Sequence, residues 1–514
     1  MKRLISVICI LICVYPHCIF AQFPITWENS FGGSDVEVAY SIIQTTDGGY
    51  IFTGQTNSND GQVTGYHGNT DCWVVKADIQ GNIQWEKSLG GSGSDYGMSI
   101  EKTTDGGYII GANSSSTDGQ VTGNHGNSDY WIIKLDQNGN IQWQNSYGGS
   151  GQEKCFYAGQ TSDGGYYAVG WTKSSDGQVT GFHGLVDYWV IRLDNTGNLI
   201  WQKTLGGSGR DYGLFAQQTT DGDFILTGAS NSADGQVTGN HGDYDYWVVK
   251  IDQNGNIVWQ KSLGGSGDDE SSCIRQESGG TYLLTGYTAS NDGQVNGNHG
   301  NADFWVVKLG PTGNIIWGNC FGGSYDENSS SINLTSDAGS IVTGFSTSND
   351  GQVTGNHGGM DYWVIKLNSS GDLQWQQSLG GSQDDWGYSI EQTSDGGYII
   401  TGDSQSNDGQ VAGNHGLDDM WTVKLSVSTG IADINSMLDF KIYPCPAQND
   451  VYLKSDSEIS DIKLLNLNNQ QIIVPVISNG SVIDLDVSSL PSGVYFVSLM
   501  QKDTIITKKI LIYK

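Results

Sequence analysis

The stretch Ser30–Trp85, SFGGSDVEVAYSIIQTTDGGYIFTGQTNSNDGQVTGYHGNTDCWVVKADIQGNIQW, decides the fold because it recurs along the chain. Its last residue belongs to a tryptophan series with a constant step of 58 residues, namely Trp27, Trp85, Trp143, Trp201, Trp259, Trp317 and Trp375. Trp73 and His67 begin two further series with the same step. Seven copies without insertion or deletion indicate a repeat architecture.

Each copy contains four segments with the composition of β-strands, which we name A to D. In the first copy they lie at about 38–45, 50–56, 72–78 and 83–87. A T-x-D-G-G turn separates A from B, a long polar loop separates B from C, and a short Gly-Asn turn separates C from D. Strand C is apolar at four successive positions, as expected for a strand covered on both faces. Seven such copies predict an all-β fold, a seven-bladed β-propeller.

The two ends of the repeat region each hold part of a copy. The seventh copy stops after strand C, near Leu425, while the region opens with a lone D strand at about 25–30. We expect this N-terminal strand to complete the last blade, because pairing removes exposed sheet edges. An open solenoid is the alternative, and it would leave both partial copies unpaired. Residues 25–426 resemble bacterial β-propeller repeats with a GGSxxD, DGGYxxTG and DxWVVKLDxxGNIxW pattern.

Charge and composition exclude several classes of protein. Lys and Arg number 24 against 55 Asp and Glu, a net charge of −31, which argues against nucleic acid or an anionic membrane as the partner. The 16 Trp and 25 Tyr argue against disorder. Residues 22–436 hold 47 acidic and 15 basic residues, whereas 437–514 hold 8 and 7. Nearly all of the net charge therefore belongs to the repeats.

The N-terminus has the layout of a signal peptide. Lys2 and Arg3 precede the apolar run 4–15, and Ala21 stands before the expected cleavage point. The run is too short for a spanning helix, and no other stretch is apolar enough to be a transmembrane segment. The mature chain keeps five cysteines without metal-ligand spacing, which we interpret as isolated residues: Cys72, Cys155, Cys273, Cys320 and Cys445.

The B–C loop and the D–A crossover are the long connections, and antiparallel order places both at one end of every blade. This end, the long-loop face, carries most of the recurring polar residues and is the predicted binding face. The ligand candidates in the first two copies are Asp60, His67, Asp71, Asp118, His125 and Asp129. The alternative is structural: Asp60 fits an Asx turn, and His67, Asp71 and Trp73 resemble the hydrogen-bond networks of WD-repeat propellers.

Calcium is the cofactor that these loops suggest, because carboxylates and loop carbonyls are its preferred ligands. The candidate ligands are Glu37, Asp60, Asp95 and Asp118. The sequence contains no D-x-D-x-D-G loop, so no certain cofactor is assigned.

Catalysis requires an asymmetric set of residues, and every histidine of the mature chain belongs to the repeated series. No Walker-type loop, G-x-S-x-G or H-E-x-x-H is present. We therefore expect a non-enzymatic protein. One asymmetric feature is Trp386 beside Asp384 and Asp385, interpreted as part of a crossover loop, where it either stacks on a sugar ring or is an ordinary loop aromatic.

Glycine becomes rare after about residue 429, and short apolar runs predict a small antiparallel β-sandwich. The segments FKIYPCPAQNDVYL, IKLLNLNNQQ, IDLDVSSLPSGVYFVSL and TKKILIYK resemble the type A C-terminal sorting domain of type IX secretion substrates. Cys445 departs from the YPNP motif of that family. The resemblance implies recognition by the outer-membrane translocon through Tyr443, Pro444, Pro446, Pro491, Gly493, Lys508 and Lys509.

The sequence thus predicts a signal peptide (1–21), a propeller (22–426), a linker (427–436) and a sorting domain (437–514). We expect a secreted or surface binding module of a Gram-negative bacterium, with a glycan or a protein as its ligand. The alternatives are an extracellular polysaccharide-active enzyme with a site at the disc centre and a calcium-stabilised scaffold.

Overall fold

The computed structural model describes residues 23–426, 440–443, 447–455, 459–466, 471–479, 482–501 and 504–513. The chain divides into two compact units, with the boundary between Val427 and Ser428. The predicted signal peptide (1–21) and linker (427–436) lie outside the described residues, as do Pro444, Cys445 and Pro446.

Residues 23–426 form seven four-stranded antiparallel sheets, so the predicted seven-bladed β-propeller is confirmed. The lone N-terminal strand is β1 (Ile25–Phe31). The A strands are β2 (Glu37–Gln44), β6 (Asp95–Lys102), β10 (Glu153–Gln160), β14 (Asp211–Gln218), β18 (Asp269–Gln276), β22 (Glu327–Leu334) and β26 (Asp385–Gln392). The B strands are β3 (Tyr50–Thr56), β7 (Tyr108–Ser114), β11 (Tyr166–Thr172), β15 (Phe224–Ser230), β19 (Tyr282–Thr288), β23 (Ser340–Ser346) and β27 (Tyr398–Ser404).

The C strands are β4 (Asp71–Ala77), β8 (Asp129–Leu135), β12 (Asp187–Leu193), β16 (Asp245–Ile251), β20 (Asp303–Leu309), β24 (Asp361–Leu367) and β28 (Asp419–Leu425). The D strands are β5 (Ile83–Leu89), β9 (Ile141–Tyr147), β13 (Leu199–Leu205), β17 (Ile257–Leu263), β21 (Ile315–Phe321) and β25 (Leu373–Leu379). Strand D extends two residues beyond the predicted end, because Ser88 and Leu89 still pair with Trp73 and Cys72.

The seventh blade closes the ring as predicted. Strand β1 pairs with β28 in an antiparallel register from Ile25–Leu425 to Phe31–Met420, giving the sheet order β1-β28-β27-β26. Phe31 is buried, and its ring packs at 5.0 Å from that of Phe52 in the first blade. The N-terminal strand therefore supplies strand D of the last blade and contacts the first.

The core lies between neighbouring blades. The C-strand tryptophan of every blade, including Trp189, is completely buried. In four blades the preceding residue is a tyrosine whose hydroxyl donates to the carbonyl of the next blade's tryptophan, as Tyr130 does to Trp189 at 2.8 Å. This bond fixes the spacing between blades and satisfies a buried hydroxyl.

Acidic turns and basic strand residues meet at the short-turn end of the ring. Lys76 Nζ lies 2.9 Å from Asp47 Oδ2 in the T-x-D-G-G turn, and the same pairing recurs around the ring with Arg192 or lysine as the base. Cys72, Cys155, Cys273 and Cys320 are buried and form no disulfide with any described residue.

The C-terminal unit consists of two antiparallel sheets with the strand orders β29-β30-β34-β33 and β32-β31-β35-β36. Their strands are β29 (Phe440–Tyr443), β30 (Asp450–Ser455), β31 (Ile459–Leu465), β32 (Gln471–Ile472), β33 (Val476–Asn479), β34 (Val482–Asp486), β35 (Gly493–Gln501) and β36 (Thr504–Ile512). Val451 and Leu485 of one sheet share a core with Leu464 and Val497 of the other. This arrangement confirms the predicted antiparallel β-sandwich.

Candidate functional site

The recurring histidine of each B–C loop is fixed by a buried aspartate. His67 Nδ1 lies 2.7 Å from Asp71 Oδ2, and the His67 amide donates to the same oxygen at 2.9 Å. Asp71 is fully buried, whereas the His67 side chain is 31% exposed. His125 and Asp129 repeat this arrangement at 2.6 Å. Burial raises the pKa of both aspartates despite these bonds.

Asp60 and Asp118 tie the loop to the crossover that lies beside it. The Ser34 amide and hydroxyl both donate to the Asp60 carboxylate at 2.8 Å, and the Ser92 amide donates to Asp118 at 2.7 Å. These bonds hold the pKa of each exposed carboxyl below its usual range. In this position the two aspartates act as anchors within the blade.

The remaining calcium candidates are buried acceptors at the start of strand A. Glu37 accepts from the Gly33 amide at 2.7 Å and from the Thr56 hydroxyl at 2.6 Å. Asp95 accepts from the Gly91 amide at 2.8 Å and from the Ser116 hydroxyl at 2.7 Å. Protein donors thus occupy these carboxylates, and the described residues contain no group of three or more His, Cys, Asp or Glu that could hold a metal ion. Calcium binding stays a prediction.

A central cavity of about 580 Å3 occupies the middle of the ring. It is lined by strand A residues of all seven blades. Unlike the long loops, these strands differ from blade to blade at the lining positions, for instance Tyr40, Met98, Leu214 and Ser330. The cavity is therefore a place where one side of the ring differs chemically from the other.

Four aromatic rings form a continuous row across blades six, seven and one, which we call the aromatic row. Phe345 stacks on Trp386 with centroids 5.2 Å apart and planes at 18°. Trp386 contacts Tyr388 at 6.2 Å, and Tyr388 contacts Tyr40 at 5.2 Å. The two tyrosines line the central cavity. The row lies toward the long-loop end, because strand A starts there.

The interpretation of Asp385 and Trp386 as loop residues is wrong. They are the first two residues of strand β26, where Trp386 pairs with Asp403. Asp385 is fully buried and accepts from the Gly381 amide at 2.8 Å, and burial raises its pKa to about 6. Asp384 precedes the strand and accepts from the Met360 amide at 3.0 Å. The repeat register itself points to the strand, because Trp386 is the counterpart of Val38, the first residue of the predicted strand A.

Three aspartates at the long-loop end of blade seven form a second cluster, which we call the acidic trio: Asp384, Asp403 and Asp418. Asp403 ends strand B next to Ser404, and Asp418 precedes strand C. Burial, together with the charges of Asp418, Asp385 and Asp384, raises the pKa of Asp403 well above its usual range. Sequence reasoning missed Asp403 and Asp418. A column-by-column comparison of the copies would have found both, because no other copy has an acid at either position.

The half of the cavity nearer the short A–B turns carries a different polar set, formed mainly by the seventh residues of the A strands, among them Glu101, Arg275 and Glu391. The Tyr157 hydroxyl donates to Glu101 at 2.7 Å. Arg275 lies over the Phe215 ring at 4.3 Å and donates to Asn333 at 3.0 Å. Glu391 accepts from the Gln44 amide at 2.6 Å, and burial raises the pKa of its carboxyl.

The C-terminal unit matches a known family over residues 441–513, that of the secretion system C-terminal sorting domain. This unit is a type IX secretion sorting domain, and the protein is secreted or displayed on the surface of a Gram-negative bacterium. Of the predicted recognition residues, Tyr443 ends β29 and is exposed, Gly493 starts β35, and the Pro491 carbonyl accepts from the Tyr495 hydroxyl at 3.0 Å. Lys508 and Lys509 lie in β36.

The propeller resembles several solved structures at low identity. The puromycin hydrolase structure shares 9% identity over 85% of this chain and 61% of that chain, with a TM-score of 0.45. BBS1N in complex with ARL6DN shares 8% over 80% and 99%, with a TM-score of 0.44. Sqt1 from Chaetomium thermophilum shares 13% over 76% and 88%, with a TM-score of 0.39. These likenesses carry no argument about function.

A comparison with curated protein sequences finds no match to this chain. Within the residues that the structure describes, there is no helix long and apolar enough to cross a membrane.

Proposed function

We propose that this secreted propeller is a non-enzymatic binding module whose ligand, a glycan or a protein, enters the central cavity from the long-loop face. The observation that carries the proposal is a contrast between two sets of residues. The polar residues common to all copies are hydrogen-bonded within and between the blades, as at Asp60 and Glu37. The aromatic row and the acidic trio are confined to one side of the ring.

The aromatic row supplies the contact area that such a ligand needs. Trp386, Tyr388 and Tyr40 are only partly buried, and rings of this kind are enriched where proteins bind sugars or other proteins, because they offer apolar area with few internal rotations. The carboxylates beside them supply hydrogen-bond acceptors. The aromatic row itself contains no nucleophile and no general base, so its role in this proposal is to bind the ligand.

The test is a binding screen of the full mature chain against arrays of glycans and of extracellular proteins. The variant Trp386→Asn introduces the residue that blade six has at the same position, Asn328, so the blade structure is known to accept that side chain. Its matched control is Tyr96→Asn, which removes an aromatic ring from the same position of blade two. We expect Trp386→Asn to abolish binding and Tyr96→Asn to preserve it. Equal effects of both variants, or no ligand on either array, would contradict the proposal.

A second candidate function is hydrolysis of an extracellular polysaccharide in the half of the cavity that holds Glu101 and Glu391. The observation that favours it is the position of the partly buried Glu391 in the cavity lining, where burial raises the pKa of its carboxyl in the direction that suits a general acid. Product release from a panel of soluble polysaccharides, lost in Glu391→Gln and kept in Trp386→Asn, would establish this function in place of the first.

Calcium stabilisation of the ring is tested separately by thermal unfolding of the full chain in calcium and in chelator. If loop carboxylates such as Asp60 hold calcium, chelation should lower the unfolding temperature, and Asp60→Asn should remove that difference. Identical unfolding curves in both solutions would refute the calcium proposal and leave the binding proposal intact.

A further inference from the structure

Asp403 is a buried ionisable residue whose described surroundings offer neither a hydrogen-bond donor to Oδ1 nor an ion-pair partner. The residue is only 8% exposed, and its Oδ1 atom has no hydrogen-bond partner among the described residues. Buried carboxylates in folded proteins are normally paired or hydrogen-bonded, because an uncompensated one is costly. Asp418 Oδ1 is buried without a partner in the same way. Asp419 Oδ1 of the same blade also lacks a partner, but its counterparts such as Asp71 Oδ1 share that property in every blade, whereas no counterpart of Asp403 or Asp418 is a carboxylate.

The corresponding position of blade two shows what a satisfied side chain does there. Asn113 donates to the Cys155 carbonyl at 3.0 Å and accepts from the Cys155 amide at 2.5 Å, so it bridges to the next blade. An ionised aspartate has no proton to donate to a carbonyl. No hydrogen bond from Asp403 to the first blade is present among the described residues, so Asp403 does not reproduce the bridge that Asn113 forms, and holding the blades together does not explain its presence.

The surroundings of Asp403 lack positive charge. No ion pair among the described residues includes Asp384, Asp403 or Asp418, although the lysines of the short-turn end are paired with acids there. Negative charge accumulates instead: burial and then the neighbouring carboxylates raise the pKa of Asp403, and burial and then the charge of Asp403 raise the pKa values of Tyr40 and Tyr388. The missing component of the cluster is a cation.

Geometry distinguishes between a metal ion and an organic cation. The described carboxylates do not form a cluster of three that could hold a metal. The aromatic row, however, passes beside Asp403: Trp386 lies opposite it in the sheet, and the Tyr388 and Tyr40 rings follow. Aromatic faces combined with carboxylates are the surroundings that bind ammonium and guanidinium groups.

We propose that the acidic trio and the aromatic row together bind an organic cation, an alkylammonium or guanidinium group of the kind carried by lysine and arginine. This inference rests on the proposed function and names the chemistry of the ligand at that site. The carboxylate of Asp403 forms the ion pair, and Trp386, Tyr388 and Tyr40 contact the alkyl chain and the face of the cation.

The probes are Nα-acetyl-lysine methylamide and Nα-acetyl-arginine methylamide, titrated calorimetrically into the full mature chain. Their uncharged counterparts are the norleucine and citrulline derivatives. A second arm uses butylammonium and guanidinium alone, and it distinguishes a free small cation from a side chain presented on a backbone. We expect the charged derivatives to bind at least about tenfold more tightly than the uncharged ones, because a buried charge pair depends on both partners.

The key variant is Asp403→Asn, which is the residue that blade two already uses. We expect it to weaken binding of the charged probes by at least about tenfold. We also expect it to raise the unfolding temperature of the ligand-free protein, because it removes an unpartnered buried charge. The matched control Asp326→Asn removes one exposed negative charge from the same face of blade six, and it should leave both quantities unchanged.

Equal binding of charged and uncharged probes, unchanged binding in Asp403→Asn, or no binding of any charged probe would overturn the inference. A neutral glycan that requires Trp386 but not Asp403 would also overturn it and would leave the proposed function standing. If no ligand of any kind depends on Trp386, both fail.

Discussion

The buried indole of Trp305 provides a direct test of how the repeats are stabilised. Its Nε1 atom has no hydrogen-bond partner among the described residues, although the side chain is completely buried. In the preceding blade, Trp247 Nε1 donates to Gln260 at 2.9 Å. The position of Gln260 is occupied in the next copy by Gly318, which has no side chain to offer. The substitution Gly318→Gln should therefore supply the missing acceptor.

Two effects contribute to the expected magnitude. A glycine inside a strand costs about 0.5–1 kcal/mol relative to alanine, and Gly318→Ala isolates that effect. A β-carbon on Gly318 would lie 3.1 Å from Trp305 Nε1, a tight contact that reduces the gain in the alanine variant. An acceptor for a buried donor adds about 1–2 kcal/mol. We expect Gly318→Gln to exceed Gly318→Ala by about that amount in free energy of unfolding.

The assay is denaturant unfolding of the full chain, followed by circular dichroism for the transition of the propeller. The reverse substitution Gln260→Ala should leave Trp247 Nε1 without its partner and lower the free energy of unfolding by about 1–2 kcal/mol. If Gly318→Gln is no more stable than Gly318→Ala, and Gln260→Ala costs nothing, the reasoning about the indole is refuted.

Three further predictions concern pH, closure and the thiols. Burial raises the pKa of Asp211 to about 6, so the stability that protonated Asp211 contributes is complete below about pH 3.8 and is lost as the pH rises through 6. Relative to Asp211→Asn, the free energy of unfolding of the wild type should fall by about 1–3 kcal/mol between pH 4 and pH 7 in denaturant titrations. A difference between the two proteins that stays constant with pH would contradict this. Deletion of 23–31 exposes the edge of β28, and light scattering should report association that Trp27→Ala does not cause. In a Cys445→Ser background the folded mature chain should not react with a thiol reagent, since its four remaining cysteines are buried and burial raises the pKa of Cys72 and Cys320 to about 12. Rapid labelling of any of the four before unfolding would be inconsistent with this burial.

The architecture was readable from the sequence because the strand pattern repeats at a fixed step. Trp73 and its counterparts mark the buried C strands, and the lone segment Ile25–Phe31 could only be a D strand in need of a sheet. Both inferences depend on local composition and on the number of strands in each copy. They need no knowledge of side-chain contacts.

The candidate site was less predictable, because repetition draws attention to residues that every copy shares. Asp60 and His67 recur for structural reasons, as their hydrogen bonds show. Asp403 occurs once, and its importance depends on burial and on a missing partner, neither of which sequence alone reveals. Trp386 was noticed but assigned to a loop, although its counterpart Val38 is the first residue of the predicted strand A.

The pairing of Ile25 with Leu425 sets the order in which the molecule can fold. Six blades consist of strands that follow one another in the chain, so each can form locally. The seventh sheet needs strand β1 from the start of the propeller to pair with β28 at its end. Contacts between such distant residues form late and slow the folding of β-proteins. The first strand therefore keeps its hydrogen-bonding edge unpaired until the seventh blade has formed, and the almost closed ring is a folding intermediate with exposed edges that favour aggregation.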